Sequence, residues 1–352
     1  MGDEHELTHR DEWAIQCMQR QLLVLEEEAA RAADPRAWLA LERHAHSYSR
    51  HLGTWLAKDR IFPGARREME RHAADLAAYE DRARREVADV DPAPLDAAAK
   101  SLGIRLAVIG KGGAGKTVIS STLSRLLART GRKVFAADLD VNPGLAISLG
   151  LPATEAGLPP DAVEEHPGSI YGWQLTGDMR PIDVVEKFAA VAPDGVRFLG
   201  LGKIGPSIEG AGPEKTAAKQ SVAALVHLLL GIGEADWDVL ADLEAGPTTP
   251  FERYHAFSDD VVVVVGPAWR SAMTARRLLP MAEDRRAIVV DNRFRDEPDH
   301  PGLPARFRIP FDPDLAEAER HGLAPLDACP DSPAIAAISR LAALFTNQEV
   351  PV

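Results

Sequence analysis

Cysteine is almost missing from this chain. Of 352 residues only Cys17 and Cys329 carry a thiol. Two thiols so far apart exclude a disulfide scaffold, and they exclude a cysteine-ligated iron–sulfur cluster built from one chain. Positive charge is also scarce: 40 Lys and Arg stand against 53 Asp and Glu, a formal net charge of −13. That balance argues against non-specific DNA binding and against docking on anionic lipid, because both need clustered cations. No apolar run approaches the roughly 20 residues that a bilayer requires. The opening MGDEHELTHR has neither the basic start nor the apolar core of a secretory leader. The expectation is a cytoplasmic protein with no nucleic-acid and no membrane partner. What is present, 45% hydrophobic and 26% charged residues, suits one large α/β domain and a smaller companion.

Residues 1–90 and 104–352 read as different objects. The first stretch is nearly free of glycine and rich in Ala, Arg and Glu. Ile15, Met18, Leu22, Leu25 and Ala29 alternate spacings of three and four, the seam of a helix. Asp34 then offers an N-cap ahead of Pro35. Trp38, Leu41, Ala45, Tyr48, Leu52 and Trp55 repeat the seam, and Met69, His72, Leu76, Tyr79 and Ala83 give a third helix after a break at Phe62-Pro63-Gly64. Such seams predict a small all-α bundle or hairpin for oligomerisation or partner binding. His44, His46, His51 and His72 read as solvated or partly packed side chains. Trp13, Trp38 and Trp55 read as filling for the bundle core. Residues 91–103, opening Asp91-Pro92-Ala93-Pro94, read as a linker.

Beyond Gly103 short β-branched runs alternate with helix-length segments. Ile104–Ile109, Lys133–Asp138, Val196–Leu201, Asp238–Asp242, Asp260–Val265, Ala287–Asp291 and Phe307–Ile309 are the candidate strands. Five consecutive valines, Val261–Val265, suit a strand covered on both faces. The alternation predicts a mostly parallel sheet with helices on both faces. The amphipathic stretch Ile335–Leu341 contains one cation, Arg340, and is expected to pack on that sheet.

Gly110-Lys111-Gly112-Gly113-Ala114-Gly115-Lys116-Thr117 fits G-x-x-x-x-G-K-[ST], with a strand before it and a helix from Thr117 and Val118 after it. The glycines let backbone N–H groups turn inward toward phosphate oxygens, and the helix adds the positive end of its dipole. In this reading Lys116 neutralises the β- and γ-phosphates and Thr117 offers its hydroxyl to Mg²⁺.

The form K-G-G-x-G-K-T resembles the deviant Walker A loop of the MinD/ParA/nitrogenase-iron-protein ATPases. The resemblance implies ATP and Mg²⁺ as cofactors and a homodimer closed around nucleotide. It implies that Lys111 reaches the partner's phosphates while Lys116 serves its own. Ala137-Asp138-Leu139-Asp140 resembles switch I, which makes Asp140 the residue that orients the attacking water and places it near the metal. Val239 through Gly246 resembles a Walker B strand entering switch II, with Asp242 on Mg²⁺ and the Gly246 amide at the γ-phosphate. Asn292 matches the family's adenine-reading asparagine. Ile309-Pro310-Phe311-Asp312-Pro313 is similar to the loop that closes over the base, through Pro310 and Asp312.

Within that superfamily the chain resembles the accessory ATPases of nickel insertion into carbon monoxide dehydrogenase, over roughly residues 104–345. Asp242-Leu243-Glu244-Ala245-Gly246 is similar to their switch II, and Pro310 to Arg320 to their C-terminal segment. One departure is plain. Where those ATPases place a C-x-C metal pair, this chain reads Gly210-Ala211-Gly212-Pro213, so the thiolates for a soft metal are missing. The reading is an ATP-hydrolysing switch that serves maturation or assembly of a client protein, met through switch II or the N-terminal helices. The alternatives are a positioning or partition ATPase, or a regulatory nucleotide-binding module with negligible hydrolysis.

Overall fold

A computed structural model describes residues 9–350, apart from 58–60, 62, 141–143, 153–161, 166–172, 176–178, 201–224, 226–227, 244–254, 283, 296–302, 304–306 and 347–349. In chain order the elements are α1 His9–Arg31, α2 Pro35–Leu56, α3 Pro63–Val87, α4 Pro92–Lys100, β1 Arg105–Gly110, α5 Lys116–Arg129, β2 Lys133–Leu139, α6 Leu145–Leu149, β3 Val163–Glu165, β4 Trp173–Leu175, α7 Pro181–Phe188, β5 Ala190–Val191 and β6 Arg197–Gly200. There follow β7 Trp237–Leu243, β8 Asp260–Val265, α8 Trp269–Leu278, β9 Arg286–Phe294, β10 Phe307–Pro310, α9 Pro313–Arg320, α10 Pro325–Ala328 and α11 Pro333–Thr346. The chain forms two compact units. One comprises Met1–Leu102, Pro159–Val184 and Pro206–Ala235; the other comprises Gly103–Leu158, Val185–Gly205 and Asp236–Val352.

The first unit is helical, with the short antiparallel pair β3–β4 added. Asp34 caps α2 as its position suggests, its carboxylate accepting from the Ala37 amide at 2.8 Å. The predicted seams are buried at Met18, Leu25, Leu41, Tyr48, Leu52, Met69 and Leu76. Trp38 and Trp55 are buried as expected, while the side chain of Trp13 lies outside the described residues. Three histidines differ from expectation. His44, His51 and His72 are 0%, 6% and 4% exposed, core side chains rather than solvated ones. Each takes a polar partner that makes burial tolerable: Glu28 and the Leu230 carbonyl for His44, Trp55 for His51, the Glu68 carbonyl for His72.

Residues 91–103 also differ from a linker. Pro92 opens α4, where the missing N–H costs nothing because no intrahelical partner exists there. Three consecutive alanines and a Lys100–Asp96 pair one turn apart then favour the helix. Arg36 of α2 donates to the Ser101 carbonyl at 3.0 Å, tying down the end of α4.

The second unit is an eight-stranded sheet in the order β10-β9-β8-β1-β7-β2-β6-β5. Every pairing is parallel except β5 with β6. All seven predicted strands form, and β5 is an unpredicted two-residue edge. β1, β7 and the valines of β8 are buried along their length, which requires cover on both faces. On one face Ile119, Leu123 and Leu126 of α5 join Ile335, Ile338 and Leu341 of α11 against Leu106, Val108, Leu240 and Val264. The amphipathic C-terminal helix therefore packs on the sheet. Among the described residues no helix is long and apolar enough to cross a membrane.

Candidate nucleotide site

The order of strands places the chemistry. β7 separates β1 from β2, so the chain leaving β1 and the chain leaving β2 diverge around the end of β7. Crevices of this kind, at the carboxyl ends of parallel strands, are where open α/β sheets bind ligands. Val108 is registered against Asp242, and Asp242 against Asp138. Three strand ends thus bring the glycine loop, Asp242 and the Asp138–Asp140 segment to one edge.

The loop itself runs from Gly110 to Gly115. Gly110, Gly113 and Gly115 have φ of 151°, 77° and 93°, conformations that side chains resist. At Gly115 space matters too, because a Cβ there would overlap the Asn292 amide. Gly112 and Gly113 are exposed, and nothing lies within 4 Å of the Cβ position of Gly113. Ala114 and Val118 are buried. The open cradle with its left-handed glycines fits a polyphosphate. Lys111 is half-buried at the first turn, where its carbonyl accepts from the Ala114 amide at 3.1 Å.

Lys116 starts α5 and is 5% exposed. Its ammonium lies 3.8 Å from Asp140 Oδ2. The next residue, Thr117, donates its hydroxyl to Asp242 Oδ2 at 2.6 Å. Asp242 Oδ1 is buried and has no hydrogen-bond partner among the described residues. Burial, then the nearby Asp138 carboxylate, push the Asp242 carboxyl well above the usual carboxylate range. A buried carboxylate with one oxygen unmatched, beside a hydroxyl, is a donor set suited to a hard divalent cation. Thr117 and Asp242 are the residues that would hold Mg²⁺ with the nucleotide.

Asp138 and Asp140 divide their work. Asp138 Oδ1 accepts from the Asp140 amide at 3.0 Å, and Oδ2 accepts from Gly144 and Leu145 at 3.0 and 2.9 Å. Asp138 therefore shapes the turn and caps α6, while Asp140 turns toward Lys116. Gly246 lies outside the described residues, as does 210–213.

A cleft opens beside the loop, bordered by Gly115, Val118, Asn292, Pro310, Phe311 and Asp312 and by α9. Five residues named as candidates in the sequence, Gly115, Val118, Asn292, Pro310 and Asp312, thus border one cleft. Two details differ from expectation. Asn292 sits inside β9, not past it, and its amide nitrogen donates to the Ala114 carbonyl at 2.8 Å. Asp312 borders the cleft, but its carboxylate is occupied. Oδ1 accepts from the Asp314 and Leu315 amides, and Oδ2 accepts from Ser332 at 2.6 Å. Arg293, Leu315 and Glu319 also border the cleft. Leu315 and Glu319 fall within the Pro310-to-Arg320 segment noted in the sequence, though nothing there marks a role for either, and no motif marks Arg293.

The chain is similar to known nucleotide-binding proteins. The profile of the CobQ/CobB/MinD/ParA nucleotide binding domain matches residues 106–326. The carbon monoxide dehydrogenase accessory protein CooC of Rhodospirillum rubrum is 30% identical over 247 residues, 64% of this chain and 91% of that protein. An uncharacterized ATP-binding protein of Methanocaldococcus jannaschii is 28% identical over 233 residues, 61% of this chain and 88% of that protein. Among solved structures, the septum site-determining protein MinD of Pyrococcus horikoshii OT3, complexed with Mg-ADP, aligns at 19% identity and a TM-score of 0.49, covering 69% of this chain and 96% of that one.

Proposed function

The chain belongs to the CobQ/CobB/MinD/ParA nucleotide-binding family, and from that membership we propose that it is a Mg²⁺-dependent ATP hydrolase acting as a molecular switch. ATP closes a homodimer, hydrolysis reopens it, and a client protein under maturation or assembly responds to the difference. The likeness to CooC supports the accessory role. The observation that supports the chemistry best is the meeting of Lys116, Thr117, Asp140 and Asp242 at the carboxyl ends of the central strands β1, β7 and β2.

The roles follow from charge and reach. The loop amides and Lys116 hold the β- and γ-phosphates. Thr117 and Asp242 would hold Mg²⁺, which would draw charge from the transferring phosphoryl group. Asp140 orients water for in-line attack and accepts its proton, with the Lys116 ammonium fixing the carboxylate. Lys111, at the first turn of the loop, neutralises charge on the partner's nucleotide.

The test separates the two lysines. Lys116→Ala leaves several phosphate charges unmatched and should abolish ATP binding by calorimetry. Lys111→Ala should bind ATP nearly as well as wild type while losing ATP-dependent dimerisation by light scattering, and turnover with it. Equal loss of binding in both variants would overturn the trans role of Lys111. No phosphate release by the wild type with ATP and Mg²⁺ would overturn hydrolysis.

A further inference from the structure

The helix that carries Lys116 has a second buried cation near its other end. Arg125 of α5 is 2% exposed, and a guanidinium so deep needs matched acceptors. Nε donates to Asp194 Oδ2 at 2.7 Å, while Nη1 and Nη2 donate to the two oxygens of Asp327 at 2.6 and 2.7 Å. Asp194 also faces Arg129 at 3.3 Å. The Arg125 guanidinium holds the Asp327 carboxyl below the usual carboxylate range. Asp194 occupies the tight turn between β5 and β6 with a φ of 61°, a left-handed conformation that Asp tolerates better than most side chains. Asp327 belongs to α10. One fork thus joins α5, the β5–β6 turn and α10. Against this junction rests the end of α6. A Cβ at Gly150, the C-cap of α6, would lie 3.2 Å from Pro193 Cγ and 3.4 Å from Asp327 Oδ2. The start of α6 is held by Asp138 through the Gly144 and Leu145 amides. Asp140 therefore lies in a stretch anchored at both ends, by Asp138 and by the Arg125 junction.

Resting on the reading of Asp140 as the residue that orients the attacking water, we propose that Arg125 is a positioning residue for hydrolysis. By holding Asp194 and Asp327 together it seats the end of α6, and so keeps the Asp140 carboxylate opposite the Lys116 ammonium. One helix supplies both cations, about 14 Å apart along its axis. The phosphate loop and the Asp140 stretch are thereby fixed to the same rod. Without the guanidinium, two carboxylates face each other across the junction, and their repulsion parts the β5–β6 turn from α10. The seat at Gly150 then widens, while the packing of α5 keeps the phosphate loop and Lys116 in place. Arg125 itself touches no substrate and moves no proton.

The test uses Arg125→Met in the full chain, with the triple variant Arg125→Met, Asp194→Asn, Asp327→Asn beside it. The triple removes the stranded charges along with the cation, and Asn accepts the left-handed backbone at residue 194. Arg125→Met should melt about 5 °C below wild type, and the triple should regain most of that loss. Both should bind Mg·ATP within about twofold of wild type by calorimetry, and both should release phosphate about tenfold more slowly. Both should also raise hydrogen exchange at the α6 amides relative to those at the start of α5. A purely structural role predicts that turnover returns with the melting temperature in the triple, and that result overturns the assignment. Wild-type turnover in folded Arg125→Met overturns it too, as does parallel loss of ATP binding, which would place the damage in the phosphate loop. Unchanged α6 exchange in both variants overturns the seat at Gly150 while leaving hydrolysis standing. No phosphate release by the wild type overturns the hydrolysis reading together with this one.

Discussion

Asn292 and Ala114 are joined by a 2.8 Å hydrogen bond from side-chain amide to main-chain carbonyl, although 178 positions separate them. The strand that borders the cleft therefore also holds the glycine loop. Gly115, next to Ala114, has no room for a Cβ because this amide fills the space.

Asn292→Asp should weaken phosphate binding as well as base binding. The change sets a carboxylate against the Ala114 carbonyl, acceptor against acceptor. We expect about tenfold weaker affinity for both ATP and inorganic tripolyphosphate. Calorimetry with the two ligands decides it. A loss confined to ATP would mean that Asn292 serves the base alone.

Asp140→Asn should bind ATP at least as tightly as wild type and hydrolyse it about 10²–10⁴-fold more slowly. The amide keeps the size of the side chain but takes no proton, and it removes a negative charge beside Lys116. Phosphate release and size-exclusion chromatography would show a slow, ATP-bound dimer. Normal turnover, with Asp138→Asn inactive, would move the catalytic role two residues back.

Asp242→Asn should stabilise the protein in the absence of metal at pH 8. The Asp242 carboxyl is raised above its ordinary value, so its contribution to stability is intact below that ordinary value and is lost as pH rises through the raised one. The amide removes this loss. We expect a melting temperature about 2–4 °C above wild type in EDTA, together with weaker Mg·ATP binding. A lower melting temperature in EDTA at pH 8 would show that the carboxylate is not under strain.

His44→Phe should destabilise the helical unit by about 1–3 kcal/mol. Nε2 donates to the Leu230 carbonyl at 2.8 Å, and Nδ1 faces both Glu28 oxygens at 2.8 and 3.0 Å. A phenyl ring leaves that carbonyl and carboxylate without the histidine. Gly233→Ala should act on the same spot from the other side, because its Cβ would meet the Glu28 carboxylate and the His44 ring. Urea melts of each variant and of the pair would show less than additive losses; full additivity would mean that the two positions act independently.

The phosphate loop was legible because its residues are contiguous and each has a local reason to be there. The strands were legible because burial on both faces demands unbroken β-branched runs, as in Val261–Val265. What escaped detection depends on distant partners. Nothing local shows that Asp138 caps α6 while Asp140 faces Lys116, since either aspartate could do either. Arg293 falls past the predicted strand end at Asp291, and only the pairing of Pro310 with Phe294 shows that the strand runs on beyond it. The histidines of α2 and α3 look polar in sequence, and only Glu28, Leu230, Trp55 and Glu68 make them interior residues. Two prolines near residue 92 suggest a break, yet the first of them starts a helix.

The helical unit draws on three separate stretches of sequence, and the chain passes between the units after residues 102, 158, 184, 205 and 235. It is therefore no detachable cassette. A fragment ending at residue 102 would lack the Leu230 carbonyl that His44 needs and the Ala235 carbonyl that Arg36 also reaches. A fragment starting at residue 103 would keep the phosphate loop but strand 159–184 and 206–235 without the helices they fold with. Dissection, domain swapping and fusion to other ATPases would have to carry all three stretches together.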